Sequence, residues 1–365
     1  MKVLISGYYG FYNVGDEAIL KSMIIALKKE DPCIEIIVLS NDVKYTEITC
    51  GVKAINRWNL ANIYKELIKS DGLISGGGSL LQDATSSRTV MYYSSIIALA
   101  KLAKKPVFIY AQGIGPLNKK FNTKIVKKAL NKADYITLRD EYSKQLIRNI
   151  GVKQPIDIVP DPVMGLHFDK NNTSMNIVNK ASEYITISIR KWKKTEPTFL
   201  KNIAAVCDNI MDKGIDIVFI PMHGEVDEKI SKQVVELMNN NPTVLSHKST
   251  IEEKVSYIEN SKLMIGMRLH ALIFAANVST PMIGISYDPK IDSYLSLVNQ
   301  PSVGNVDELL DVEYLSNLAL AKVKNYENEK IKLQENTYKL KESAFKTASM
   351  AISVLKKEDK KNNRY

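Results

Sequence analysis

"SKLMIGMRLHALIFAANVSTPMIGISYD", residues 261–288, reads as a buried strand, a helix apolar on nearly every side, and a second buried strand. That sequence is one βαβ step of a parallel sheet covered on both faces. Where the strand hands over to the helix stand Arg268 and His270. An arginine is seldom buried without a partner, and its neighbours in sequence supply no carboxylate. Either a distant acid or a ligand satisfies it.

The alternation extends through the chain. "KVLIS", "IEIIVLS", "DGLISG", "KPVFIYAQG", "ADYITLRD" and "IDIVPD" are short β-rich runs with helical patterns between them, up to residue 165. A polar stretch over 166–183 reads as a linker. A second series, "YITISIR", "IDIVFIP", "TVLSH" and the opening stretch, fills 184–306. Residues 307–365 are helix-prone, suited to crossing back to the first domain, and end in a basic tail. The expectation is an α/β protein of two Rossmann-like domains in tandem, their parallel sheets facing across a cleft.

At 365 residues the chain is long enough for two cores. "MKVLISGYYG" enters a strand pattern at once and no apolar run is long enough to span a bilayer, so a cytoplasmic protein is expected. Cys33, Cys50 and Cys207 have neither disulfide-framework nor zinc-site spacing and read as reduced, mostly buried thiols. The balance of 50 basic against 40 acidic residues, net +10, points to an anionic partner: a phosphorylated substrate, a nucleic acid or an acidic membrane surface. The basic residues are spread along the chain except in the tail, which reads as a solvated segment more readily than as a dedicated membrane or nucleic-acid patch.

Ligands of open parallel sheets bind beyond the carboxyl ends of the strands. The first such loop, with Gly7, Gly10 and Gly15, matches neither a dinucleotide nor a P-loop fingerprint. Asn13, Asp16 and Glu17 at the following helix start could cap that helix or meet a substrate hydroxyl. Gly76, Gly77 and Gly78, read as preceding a helix, form a candidate cradle for phosphate or sugar hydroxyls, with Gln112 beyond the next strand as a further cleft residue. Arg268, Leu269 and His270 occupy the first helical turn, where unpaired N–H groups favour an anion; an arginine fork makes this a phosphate or carboxylate site, and His270 could hand a proton to the same ligand. Arg190 ends "YITISIR", a strand-end placement that points it at the cleft, and His223 in "FIPMHGEVDE" is a possible cleft residue. Glu225, Asp227 and Glu228 read as a helix start, and no metal site is expected.

Taken in order, "NVGDEA", "SGGGSLLQD", "AQGIGPL", "LRDEYS", "PDPV", "SIR" and "MRLHALIFAANVSTPMIGISYDPK" resemble the polysaccharide pyruvyl transferase family, nearest to its CsaB-type members, which decorate bacterial cell-wall glycans. The resemblance runs from residue 1 to about 295 and implies a GT-B-like fold, no cofactor, and phosphoenolpyruvate as donor of a three-carbon unit transferred to two sugar hydroxyls as a cyclic ketal. It also implies that Arg268, Leu269 and His270 line the donor site with Arg190 as a second arginine, and that the acceptor is a lipid-linked glycan. The basic tail could then hold the protein at the inner face of an anionic membrane. Two alternatives remain: a GT-B glycosyltransferase using a nucleotide sugar, and a non-catalytic module for anionic glycan or membrane.

Overall fold

The computed structural model describes residues 1–84, 86–166, 183–192, 196–305 and 310–357. The expected linker therefore lies, apart from its end residues, outside the described residues, as does nearly all of the basic tail. Two compact units emerge: Met1–Leu166 together with Leu340–Tyr365, and His167–Lys339.

The first unit is built on eight parallel strands: β1 (Lys2–Tyr9), β2 (Glu35–Ser40), β3 (Lys53–Asn56), β4 (Gly72–Ser75), β5 (Gly78–Leu81), β6 (Val107–Ile114), β7 (Tyr135–Leu138) and β8 (Ile156–Ile158). They lie in the order β3-β2-β1-β4-β6-β7-β8, with β5 added to β6. The chain winds outward from β1 to β3, then restarts at β4 on the other side of β1, so the order reverses between β1 and β4. The central strands are apolar on both faces: Leu4, Ile5, Leu73, Ile74, Phe108 and Ile109 are all 0% exposed. Each such side chain contributes roughly 1.5–3 kcal/mol by leaving water. The helix Lys346–Lys357 belongs to this unit and buries Ala348, Ala351 and Leu355.

The second unit carries six parallel strands, β9 (Tyr184–Ser188), β10 (Asp216–Phe219), β11 (Thr243–Val244), β12 (Leu263–Gly266), β13 (Met282–Ser286) and β14 (Ser302–Asn305), in the order β11-β10-β9-β12-β13-β14. Its reversal falls between β9 and β12. Register places Ser188 beside Gly266 and Ile187 beside Phe219, so the segments leaving β10, β9 and β12 emerge next to one another. The opening stretch folds as read: β12, the helix Leu269–Val278, then β13. That helix buries Leu269 and Ala271 through Ala276, and Ser279 in the left-handed region (φ 63) ends it.

The short strands β3, β5 and β14 have no counterpart in the sequence reading. Among the cysteines only Cys207 is buried; Cys33 is exposed and Cys50 intermediate, against the expectation of mostly buried thiols. Among the described residues no helix is long and apolar enough to cross a membrane.

Candidate active site

The site in the second unit is assembled at its strand-order reversal, the place where open α/β sheets bind ligands. Arg190 follows β9, Arg268 follows β12, and His223 follows β10. Arg268 is the N-cap of the helix Leu269–Val278, with Leu269 and His270 as its first two residues.

The distant acid that Arg268 requires is Asp227, in the first turn of the helix Gly224–Val235. Its carboxylate is fully buried and accepts from Arg268 Nε at 2.9 Å and from Arg268 Nη2, and also from the Met222 N–H at 3.2 Å. A fork held this way is fixed in direction. This corrects two expectations: the whole fork is not open to an anion, and Asp227 does more than start a helix. Nη1 has no hydrogen bond among the described residues, and this edge of the guanidinium remains for a ligand.

Arg190 differs from Arg268. Among the described residues it meets no acid; its guanidinium lies 4.6 Å from the Tyr287 ring centroid and 5.8 Å from that of Trp192, and its Nε is buried with no hydrogen-bond partner. The Ser188 hydroxyl at the end of β9 and His223 Nδ1 are buried with no partner in the same sense. Buried polar atoms are nearly always satisfied, so a concentration of unsatisfied ones at one sheet edge fits a polar ligand. His223 has its pKa lowered, first by burial, then by the charge of Arg268, with Arg190 adding and Asp227 opposing. It is therefore a neutral imidazole at pH 7. It stands with the two arginines of the second unit.

In the first unit several of the expected cleft residues have partners within the fold, while Glu17 Oε2 and Gln112 Oε1 are buried with no hydrogen-bond partner among the described residues. Asn13 caps its own helix, accepting from the Gly15 N–H at 3.1 Å. Glu17, only 4% exposed, turns back and accepts from the N–H groups of Gly10 (2.9 Å) and Phe11 (3.3 Å); burial outweighs these bonds and lifts its pKa to about 7. The triplet Gly76–Gly77–Gly78 runs into a strand, β5, and not a helix, which removes the expected helix-end cradle. A Cβ on Gly76 would lie 2.1 Å from the Tyr9 hydroxyl, on Gly77 2.8 Å from Ile19, and on Gly78 (φ +89) 2.5 Å from the Asp16 carboxylate. Close packing thus accounts for these glycines. Gln112 is fully buried and donates to Ser75 Oγ and the Gly76 carbonyl, both at 2.8 Å, tying β6 to β4. Among the described residues no group of three or more His, Cys, Asp or Glu is placed to hold a metal ion.

A profile of the polysaccharide pyruvyl transferase family matches residues 13–289. The chain belongs to that family. A curated relative, the amylovoran biosynthesis protein AmsJ of Erwinia amylovora, is 21% identical over 271 residues, 67% of this chain and 64% of its own length. The chain thus spans less than two thirds of that relative. Solved structures of similar fold include a UDP-GlcNAc 2-epimerase from Neisseria meningitidis bound to UDP-GlcNAc (TM-score 0.66, 13% identity, 98% of this chain and 100% of that one). The ADP-heptose lipopolysaccharide heptosyltransferase II of E. coli is another (TM-score 0.54, 13% identity, 90% and 100%). At such identities the likeness concerns the fold, which is GT-B-like. The two arginines and two histidines at the β9–β12 reversal fall inside the residues matched to the family.

Proposed function

We propose that the chain transfers the three-carbon unit of phosphoenolpyruvate to a sugar of a bacterial cell-wall polysaccharide precursor carried on a lipid, forming a cyclic ketal and releasing phosphate, as in the CsaB-type members of the family. The observation carrying this reading is Arg190, a half-buried guanidinium that meets no acid among the described residues, beside Arg268, whose free edge is aimed by Asp227. Phosphoenolpyruvate bears a phosphate and a carboxylate, which two separately held guanidiniums suit better than one. Its charge needs no cofactor to be neutralised in this arrangement.

His270, at the helix start, is the proposed acid that protonates the methylene carbon. The cationic centre formed is attacked by one sugar hydroxyl, phosphate departs toward the arginines, and a second hydroxyl closes the ketal. Of the two hydroxyl protons released, one restores the acid that made the methyl group and the other leaves with phosphate. A correctly placed general acid contributes about 10²–10⁴ in rate. His223, neutral and flanked by the arginines, suits accepting the hydroxyl proton.

The test is a calorimetric titration with phosphoenolpyruvate and, in parallel, UDP-N-acetylglucosamine, using the wild-type protein and Arg190→Ala. Binding of phosphoenolpyruvate that is lost in the variant is expected; binding of the nucleotide sugar alone would replace this reading by a glycosyltransferase. With an acceptor in hand, His270→Ala is expected to lower kcat far more than it changes the donor KM, and a near-normal kcat would remove His270 from the chemistry.

A further inference from the structure

Arg57, directly after β3, is 3% exposed and meets no acid among the described residues. Four aromatic rings surround its guanidinium: Tyr92 at 4.3 Å, Phe11 at 5.0 Å, Trp58 at 5.1 Å and Tyr93 at 5.4 Å from the ring centroids. Nη1 donates to the Gly7 carbonyl at 2.9 Å and Nη2 to the Tyr93 hydroxyl at 3.2 Å, so Arg57 ties the end of β1 to the helix Ser87–Leu102. The rings are fixed as well. Tyr92 Oη donates to the Arg57 carbonyl at 2.9 Å, Trp58 Nε1 to Asn41 Oδ1 at 3.1 Å, and Phe11 stacks on Tyr8 at 4.1 Å with only 5° between the planes.

What this cage holds outward is Trp58, 60% exposed. A tryptophan placed for stability alone is buried; here its ring nitrogen is pinned and one side rests on a cation while much of the indole stays in water. Arg57 itself is screened by the rings, so the cluster is poorly built for direct capture of a phosphate. An indole held rigid loses little entropy on binding, and its flat apolar surface matches the C–H face of a pyranose ring. Asn41, which pins the indole nitrogen, is a polar neighbour at the edge of the ring.

We propose that this ledge, Trp58 with Tyr92 and Phe11 fixed around Arg57, is a stacking subsite for a sugar ring of the acceptor glycan. The proposal deepens the pyruvyl-transfer reading and rests on it for the word acceptor. Arg57 acts here as a positioning residue, since it would order the rings without touching the sugar.

The chain has two tryptophans, Trp58 in the first unit and Trp192 beside Arg190 in the second, which lets one protein report on both ideas. Trp192→Phe leaves Trp58 as sole tryptophan emitter and is titrated with lactose, N-acetyllactosamine and chitobiose. A saturable change of Trp58 emission with at least one of them is expected, together with a roughly three- to tenfold loss of that sugar's affinity in Trp58→Ala, measured by saturation-transfer NMR. Trp58 is exposed, so the variant should keep its fold, and an unchanged thermal midpoint checks this. No response of Trp58 to any of the three sugars, or affinity unchanged in Trp58→Ala, overturns the ledge. Phosphoenolpyruvate titrated into Trp58→Phe, where only Trp192 emits, tests the donor reading separately: silence there sinks that reading and leaves the sugar result standing.

Discussion

Arg268 and Glu17 differ in how completely the fold supplies partners for a charged side chain. The Arg268 fork is met along two bonds by a fully buried carboxylate. Glu17 has backbone donors on one oxygen, while the other, Oε2, has no partner among the described residues. Its pKa therefore rises from 4.5 to about 7. Below the lower value both folded and unfolded states hold the proton. Between the two values the unfolded chain releases it and the folded chain does not, so Glu17 erodes stability as pH rises through that window and makes no further difference above it. A shift of this size is worth on the order of 3 kcal/mol. Glu17→Gln keeps an acceptor for Gly10 and Phe11 and removes the titration. Its thermal midpoint relative to wild type is expected to climb from about pH 4.5 to about pH 7 and then level off. Midpoints that differ by a constant over that range would show Glu17 to ionise like an exposed carboxylate. The partner of Arg268 was not legible along the chain: Asp227 lies 41 positions away and reaches it only because β10, β9 and β12 are neighbours.

At the scale of elements, the long β-branched strands and the helix Leu269–Val278 were readable because their own composition demands burial. The strands β3, β5 and β14 were not: β3 is bounded by Lys53 and Asn56, β5 and β14 contain glycine, and their pairing is imposed by the neighbouring strand more than by propensity. The glycine triplet shows the same limit. Its composition is compatible with an anion cradle, but the atoms that require it belong to β1 and the helix Val14–Glu30, far away in sequence. Gly76→Ala puts a methyl group against the buried Tyr9 hydroxyl and is expected to cost roughly 1–3 kcal/mol in urea unfolding. Combined with Tyr9→Phe, the nearest remaining contacts would be the Ser6 carbonyl at 3.2 Å and ring carbon Cζ at 3.3 Å, so most of that cost should be recovered. Additive losses in the double variant would mean that Gly76 is required by its backbone or by a ligand, and the cradle reading would regain its footing.

For the whole molecule, the division into units makes the end of the chain part of its beginning. Residues 340–357 belong with residues 1–166, and the helix Tyr326–Ala344 carries the chain across the boundary at residue 340. The sequence expectation of terminal helices returning to the first domain rested on helix-prone composition, whereas the contacts that hold them there are specific. The helix Lys346–Lys357 contributes Leu355, 1% exposed, to the first unit's core, and a Cβ on Gly72 of β4 would come within 2.5 Å of its Cδ2. Lys356 adds an ion pair to Asp31 at 3.3 Å, and Lys29 lies 4.5 Å from the Phe345 ring centroid. The ion pair is exposed on the lysine side and contributes little, so the apolar contact dominates. Leu355→Ala is therefore expected to cost about 2–5 kcal/mol, and to cost it in the first unit. The two tryptophans separate the possibilities: in single-tryptophan proteins, the denaturation midpoint followed through Trp58 should fall while that followed through Trp192 holds. Equal falls at both would mean that the units unfold as one, and no fall at Trp58 would mean that the terminal helix is not part of the first unit's core.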